Sequence, residues 1–348
     1  MRIRPALTFA VGILVVLALG AAPQAYANGL TITPVFDSSI TGNAQAAAIE
    51  ADINTAIGTL EALYNGGTST TYSVEFSYTP GAPGNLLSTS QYYYNYSYAS
   101  YVGALAGDAA ANPGNTNLAT ALANLGKGNS AGYQGAMILP YADALMLSNY
   151  GLAAPSPPPA IASVNINSNA PFAITGPAVY GSTYDLIGGL EHELDETMGG
   201  GGGGSTINNF YGEGLGPTDL YRYSAPGVGS YTNSGTATSY LSLNGGTTDI
   251  VGFNQNSGGD FGDFAPPCGN GLGQNGTNPG NNQYVQNAFN CTGSDEVYNT
   301  SSPEFAMQTG IGWDSTSGTS VPEPGSLILL GAGLLGLGPA VRRRNRLS

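Results

Sequence analysis

The stretch Leu190-Glu191-His192-Glu193-Leu194-Asp195-Glu196-Thr197-Met198-Gly199 carries the only histidine of a 348-residue chain. Leu186, Leu190 and Leu194 recur every four residues, the period of one helical face, and Gly199 ends the run. The spacing predicts a helix from about Thr183 to Met198. On it, His192 and Glu196 stand one turn apart and point the same way, with Glu193 turned about 100 degrees to the edge of that face. Four carboxylates in six residues (Glu191, Glu193, Asp195, Glu196) are costly to hold together unless a cation sits among them.

The composition sharpens that point. Charged residues make up 9% of the chain, against about a quarter in an average soluble protein. Glycine reaches 53, tyrosine 22 and proline 22, while the 41% hydrophobic content supplies a core and excludes wholesale disorder. Residues 28–320 hold 21 acidic residues against two basic ones, Lys127 and Arg222. Such a surface repels phosphate backbones and excludes a nucleic-acid partner.

His192-Glu193-x-x-Glu196 has the layout of the HExxH helix of zinc peptidases, with glutamate in place of the second histidine. There the first and fifth positions hold the metal, and the glutamate at the second deprotonates a metal-activated water. Carboxylate oxygen is a legitimate zinc ligand, so Glu196 keeps the chemistry. A single nitrogen donor hardens the site, admitting manganese, iron or calcium besides zinc. The competing account is an acidic solvated helix, since glutamate is a good helix former.

Around this helix the sequence predicts an α+β fold with long Gly/Asn-rich loops. Thr31–Asp37 reads as a strand. Ile49, Ile53, Ile57, Leu60 and Tyr64 form one helical face after an Asn43 cap, and Thr71–Tyr78 alternates as a half-buried strand. The tyrosine run Gln91–Tyr101 reads as a strand passing into a helix. Helices near Tyr101–Ala111, Asn117–Leu125 and Tyr141–Tyr150 follow, then a strand at Ile161–Asn167. The glycine run Gly199–Gly204 and the segment Asn254–Asn290 read as loops. Asp260-Phe261-Gly262-Asp263 resembles a single copy of a calcium-binding glycine-aspartate repeat.

Both ends read as export signals. Residues 1–27 have a basic start (Arg2, Arg4), an apolar run Leu7–Leu19 and an Ala25-Tyr26-Ala27 cleavage site, so signal peptidase is an expected partner. Residues 321–348 carry Pro322-Glu323-Pro324, the apolar stretch Leu327–Val341 as a short transmembrane helix, and the cluster Arg342-Arg343-Arg344-Asn345-Arg346. This order resembles the PEP-CTERM sorting signal of Gram-negative bacteria. The resemblance implies recognition by an exosortase, transient membrane contact, and delivery to the cell surface or beyond. In that oxidising setting Cys268 and Cys291 are expected to form a disulfide.

The body, residues 28–320, is similar over most of residues 30–314 to a family of secreted bacterial metalloproteases whose helix reads HE-x-x-E-x-x-G. The likeness is carried by that helix, Phe36–Ile40, Thr218–Gly227, Gly259–Phe264 and Phe305–Asp314. It implies a zincin-like, metzincin-related catalytic domain hydrolysing peptide or protein substrates. Zn2+ is then the expected cofactor, with Ca2+ as the alternative. His192 and Glu196 would be ligands and Glu193 the general base. Gly199 stands where metzincin helices turn towards a third ligand, but position 202 is Gly202 and no second histidine exists. The third ligand must then be an oxygen, from Glu213 or, preferred for its place in a family-like block, Asp219. Tyr221, Arg222 or Tyr223 is expected to stabilise an oxyanion, with Tyr223 assigned that catalytic role; the alternative for Arg222 is a structural ion pair with one of the many carboxylates. Met307 is a candidate floor under the metal, or a buried core methionine. The rival function is a non-catalytic surface or matrix protein carrying the same sorting signal.

Overall fold

The computed structural model describes residues 29–125, 135–158, 160–179, 181–202, 207, 214–265 and 284–316. The expected signal peptide, Glu213, Cys268 and the whole sorting tail lie outside these residues. Among the described residues no helix is long and apolar enough to cross a membrane.

Strand β1 (Leu30–Phe36) leads through α1 (Ser38–Thr41) and α2 (Ala46–Leu63) to β2 (Thr70–Thr79), which pairs with β1 in parallel. The turn into α1 is fixed by Asp37, whose carboxylate accepts the Ser39 and Ile40 amides. On α2 the predicted face is the buried one: Ile49, Ile53, Ile57 and Leu60 face inward, and Tyr64 follows at its C-cap. On β2 the alternation also holds, with Tyr72, Val74 and Phe76 buried and Glu75 exposed. Next come β3 (Leu87–Ser90), β4 (Tyr93–Ser97), α3 (Tyr98–Ala111), α4 (Thr116–Asn124), β5 (Ala136–Pro140), α5 (Tyr141–Ser148) and β6 (Ala162–Asn167).

The main sheet has the order β1-β2-β6-β3. Its first three strands are parallel, and β3 lies antiparallel against β6 at the edge. The two-residue strands β7 (Phe172–Ala173) and β8 (Tyr184–Asp185) lead into α6 (Leu186–Thr197), the predicted helix. Strand β9 (Gly214–Leu215) completes a small sheet with β4 and β5. A final sheet is built from β10 (Arg222–Ala225), β11 (Val228–Gly229), β12 (Tyr240–Leu241) and β13 (Val251–Gly252), and α7 (Pro303–Gly310) follows.

Buried side chains from Leu30 to Trp313 form one contiguous cluster, so the two ends of the body share a core. Trp313 is placed by its indole N–H, which donates to the Met198 carbonyl at 2.8 Å and closes the C-terminal end of α6. The architecture is a mixed α and β fold, as the sequence predicts. Among the features not legible in it are the polar edge strand β3, the buried strand β5, the short strands β7 to β9 and the four short strands after residue 221.

Candidate metal centre

Helix α6 is buried on nearly all sides. Asp185 caps it through the Ile187 amide, and Leu186, Leu190 and Leu194 turn into the core. Close approach to β3 depends on Gly189, where a Cβ would lie 2.7 Å from Leu87 Cδ1. The four carboxylates therefore divide. Glu191 and Asp195 point away from the cleft into the protein; Asp195 accepts the Tyr298 hydroxyl on both oxygens, at 3.0 and 2.9 Å. Glu193 and Glu196 face a cleft of about 430 Å3 that also exposes one edge of His192.

In this cleft His192, Glu196 and Asp263 converge, with one donor atom from each within 4.8 Å of the others. His192 Nε2 is 3.6 Å from Glu196 Oε1 and 3.7 Å from Asp263 Oδ2. Donors at zinc-ligand distance on a tetrahedron stand roughly 3.4 Å apart, so this spacing fits a small divalent cation. The imidazole is also oriented for ligation. Its Nδ1 lies 2.9 Å from the Val285 carbonyl, to which it donates, so Nε2 is the nitrogen turned towards the carboxylates.

Among the described residues no lysine or arginine forms an ion pair with the cluster. Burial pushes Glu193 up to about 8, with Glu196 adding to it, and burial likewise lifts Glu196 and Asp263 to about 7. For His192 burial acts downward, but Asp263, Glu196 and Glu193 outweigh it and hold the imidazole well above its usual range. A cation entering here would displace protons from this set.

Glu193 stands beside the three donors. Its Oε2 accepts the Thr89 hydroxyl at 2.6 Å, and the same hydroxyl reaches the Glu193 carbonyl at 3.1 Å. The edge strand β3 thus fixes the carboxylate against the cleft wall.

The third donor of this cluster is Asp263; the expected ligand Asp219 is not in it. Asp219 is fully buried on a 3-10 turn, Thr218–Tyr221, where its Oδ2 accepts the Gly216 amide at 2.9 Å and its charge faces Arg222. Asp263 is delivered by Phe264. Its amide donates to the Gln286 carbonyl at 2.7 Å, and its carbonyl accepts the Ala288 amide at 3.0 Å. Tyr223 is also corrected: it is 2% exposed within the β10 ladder, paired with Tyr240, and does not line the cleft. Arg222 has a supporting role. Its guanidinium lies 4.1 Å over the Phe253 ring and donates to the Phe261 carbonyl, propping the loop that carries Asp263. Met307 is fully buried in α7, against the turn at Gly200.

The glycine run is tighter than a loop reading implies. Gly199 takes φ +98° to end α6. A Cβ on Gly200 would lie 2.4 Å from Gln308 Nε2, and one on Gly202 would lie 2.3 Å from Glu196 Oε1 and 2.8 Å from Asp260 Oδ2. The chain does turn back over the donors after Gly199, but it contributes backbone there instead of a ligand.

Cys291 is disulfide-bonded, and its expected partner Cys268 lies outside the described residues. Among curated proteins and among solved structures, none matches this chain. The PEP-CTERM protein-sorting motif matches residues 320–345, which include Pro322, Glu323 and Pro324. The chain therefore ends in a signal processed by exosortase during export, and its destination is the cell surface or the extracellular space.

Proposed function

We propose that the exported body is a metal-dependent endopeptidase of zincin type, with His192, Glu196 and Asp263 as metal ligands and Glu193 as general base. The observation that carries this reading is the convergence of those three donors beside a buried, oriented glutamate in one cleft. A divalent cation held by the three would polarise both a water molecule and the scissile carbonyl. Glu193 takes the proton from the attacking water and passes it to the leaving amine. Thr89 keeps that carboxylate aimed into the cleft. Among the described residues β3 has no strand on its outer edge, and Leu87, Ser88 and Thr89 line the cleft. An extended peptide can add there as a further strand, its main chain held by hydrogen bonds.

The test is metal content by elemental mass spectrometry on the full-length chain purified without chelator. Near-stoichiometric zinc is expected in the wild type, with loss in His192→Ala and in Asp263→Ala but not in Asp219→Asn. A wild type that holds no metal even after zinc is offered back would leave a non-catalytic surface protein. Because Tyr223 lies away from the cleft, Tyr223→Phe should keep kcat/KM within about twofold of wild type.

A further inference from the structure

We infer that Gln286 is a fourth protein ligand of this metal centre, entering the shell through its side-chain carbonyl Oε1. The inference rests on the metal reading above and extends it to a residue outside the His192–Glu196–Asp263 group.

Gln286 is fully buried and clamped at its backbone. Its amide donates to Glu304 Oε1 at 2.9 Å, and its carbonyl accepts the Phe264 amide at 2.7 Å. The end of its side chain lies against the donor set: Nε2 is 3.2 Å from His192 Nε2 and 3.0 Å from Asp263 Oδ1. The other terminal atom, Oε1, is buried with no hydrogen-bond partner. Buried carbonyl oxygens are rarely left so, and an orphan beside a metal-ligand cluster points to a cation.

In the metal-free arrangement the amide nitrogen stands against one atom of His192 and one of Asp263, the two side chains that a metal would claim. With the Nδ1 proton of His192 held by the Val285 carbonyl, a cation displaces the proton at Nε2 and takes the lone pair there. Once it also takes an oxygen of Asp263, the NH2 group is left facing a cation. A terminal amide turns about its last bond at little cost, because that torsion is broad. Half a turn brings Oε1 to the present place of Nε2, 3.2 Å from His192 Nε2 and 3.0 Å from Asp263 Oδ1, the second oxygen of that carboxylate. That is the spacing of neighbouring donors around a small divalent ion.

The glycine run keeps the amide there. A Cβ on Gly201 would lie 1.9 Å from Gln286 Nε2 and 2.2 Å from its Cδ, and Gly201 itself takes φ +65°. Only glycine lets the chain pass over Gln286 so closely, and the passing backbone blocks the side chain from swinging out. The resulting shell has one nitrogen and three oxygens, and with a water it is five-coordinate. Such a shell is harder than a three-donor site and favours manganese more than that site would.

The experiment compares full-length wild type, Gln286→Met and Gln286→Glu. Zinc affinity is read by chelator competition, the shell of the zinc-loaded protein by X-ray absorption, and the cobalt-substituted protein by its visible spectrum. Gln286→Met, matched in length but lacking the carbonyl, should weaken zinc by about 10- to 100-fold and remove one oxygen from the shell. Its cobalt form should gain the intense bands of a four-coordinate centre. Gln286→Glu should hold zinc at least as well as wild type and shift preference towards manganese. If Gln286→Met fails to fold, the wild-type shell alone decides: five N/O donors support the inference and four overturn it. Unchanged affinity and spectrum in Gln286→Met would also overturn it, while zinc lost in His192→Ala leaves the three-ligand site standing. A wild type that binds no zinc sinks the parent reading instead.

Discussion

Glu193→Gln is expected to abolish peptide hydrolysis while leaving the metal bound. The two side chains match in shape, so the amide can still accept the Thr89 hydroxyl that now reaches Glu193 Oε2 at 2.6 Å. Glu193 also lies outside the group formed by His192, Glu196 and Asp263, so zinc affinity should stay near wild type. What the amide lacks is basicity. Loss of a positioned general base costs about 10²- to 10⁴-fold in rate, which would take slow turnover below detection. Folding should not suffer, because Glu193 is buried among Glu196, Asp260 and Asp263, and removing one acid relieves repulsion. The assay incubates each protein, zinc-loaded, with a mixture of denatured proteins and reads new termini by mass spectrometry. Cleavage by the wild type at sites untouched by the glutamine variant is the expected result. Equal cleavage by both would remove Glu193 from the chemistry; none by either would favour the matrix-protein reading.

Much of the fold was legible because it depends on local periodicity. The face Ile49 to Tyr64, the alternation Tyr72 to Phe76 and the leucine repeat of α6 each encode burial directly. His192, Glu193 and Glu196 were legible for the same reason, since a helix fixes their relation within one turn. Asp263 was not, because its position depends on long-range contacts: Phe264 bridging to residues 286–288, and Arg222 reaching the Phe261 carbonyl. Its signal was nonetheless present in Asp260-Phe261-Gly262-Asp263, an acidic pair in a chain poor in charge. Asp219 misled because acidity and a family-like setting do not distinguish a ligand from a carboxylate buried near an arginine, its oxygen taken by a backbone amide. Thr89 and Gln286 had no signal at all; a threonine in a polar edge strand and a glutamine in a polar loop become informative only in three dimensions. The glycine run was legible as a loop, but its close packing was not: at Gly200–Gly202 the backbone passes close over Gln308, Gln286 and Glu196.

The same scarcity of basic residues that marks the sequence dictates an unusual response to pH. The metal-free protein is expected to be more stable at pH 5 than at pH 9. Asp108 lies fully buried on α3, next to Asp314, and burial with that neighbour pushes it up to about 8. Asn112 donates to Asp108 Oδ1 at 2.6 Å and Asn115 to Asp314 Oδ1 at 2.9 Å, so the pair is held by amides and not by a cation. Burial lifts Glu304 to about 7 and holds Asp143, Asp195 and Glu296 well above the usual carboxylate range. In the unfolded chain such groups lose their protons near pH 4. The folded state keeps them through pH 7 to 8, so over that window it binds more protons than the unfolded state. Stability is then full below pH 4 and falls as pH rises through the folded values. With several groups contributing, the melting temperature at pH 9 should lie on the order of 10 °C below that at pH 5. Asp108→Asn separates this cause from a general charge effect. Its side chain can still accept from Asn112 and can donate to Asp314, so it should match wild type at pH 5 and melt several degrees higher at pH 9. Melting followed by circular dichroism in chelator, from pH 5 to pH 9, checks both expectations. A melting temperature that climbs across this range, or an asparagine variant that follows wild type at every pH, would contradict the account. Zinc should act in the opposite direction, because it holds Glu196 and Asp263 ionised in the folded state and so stabilises increasingly as pH rises.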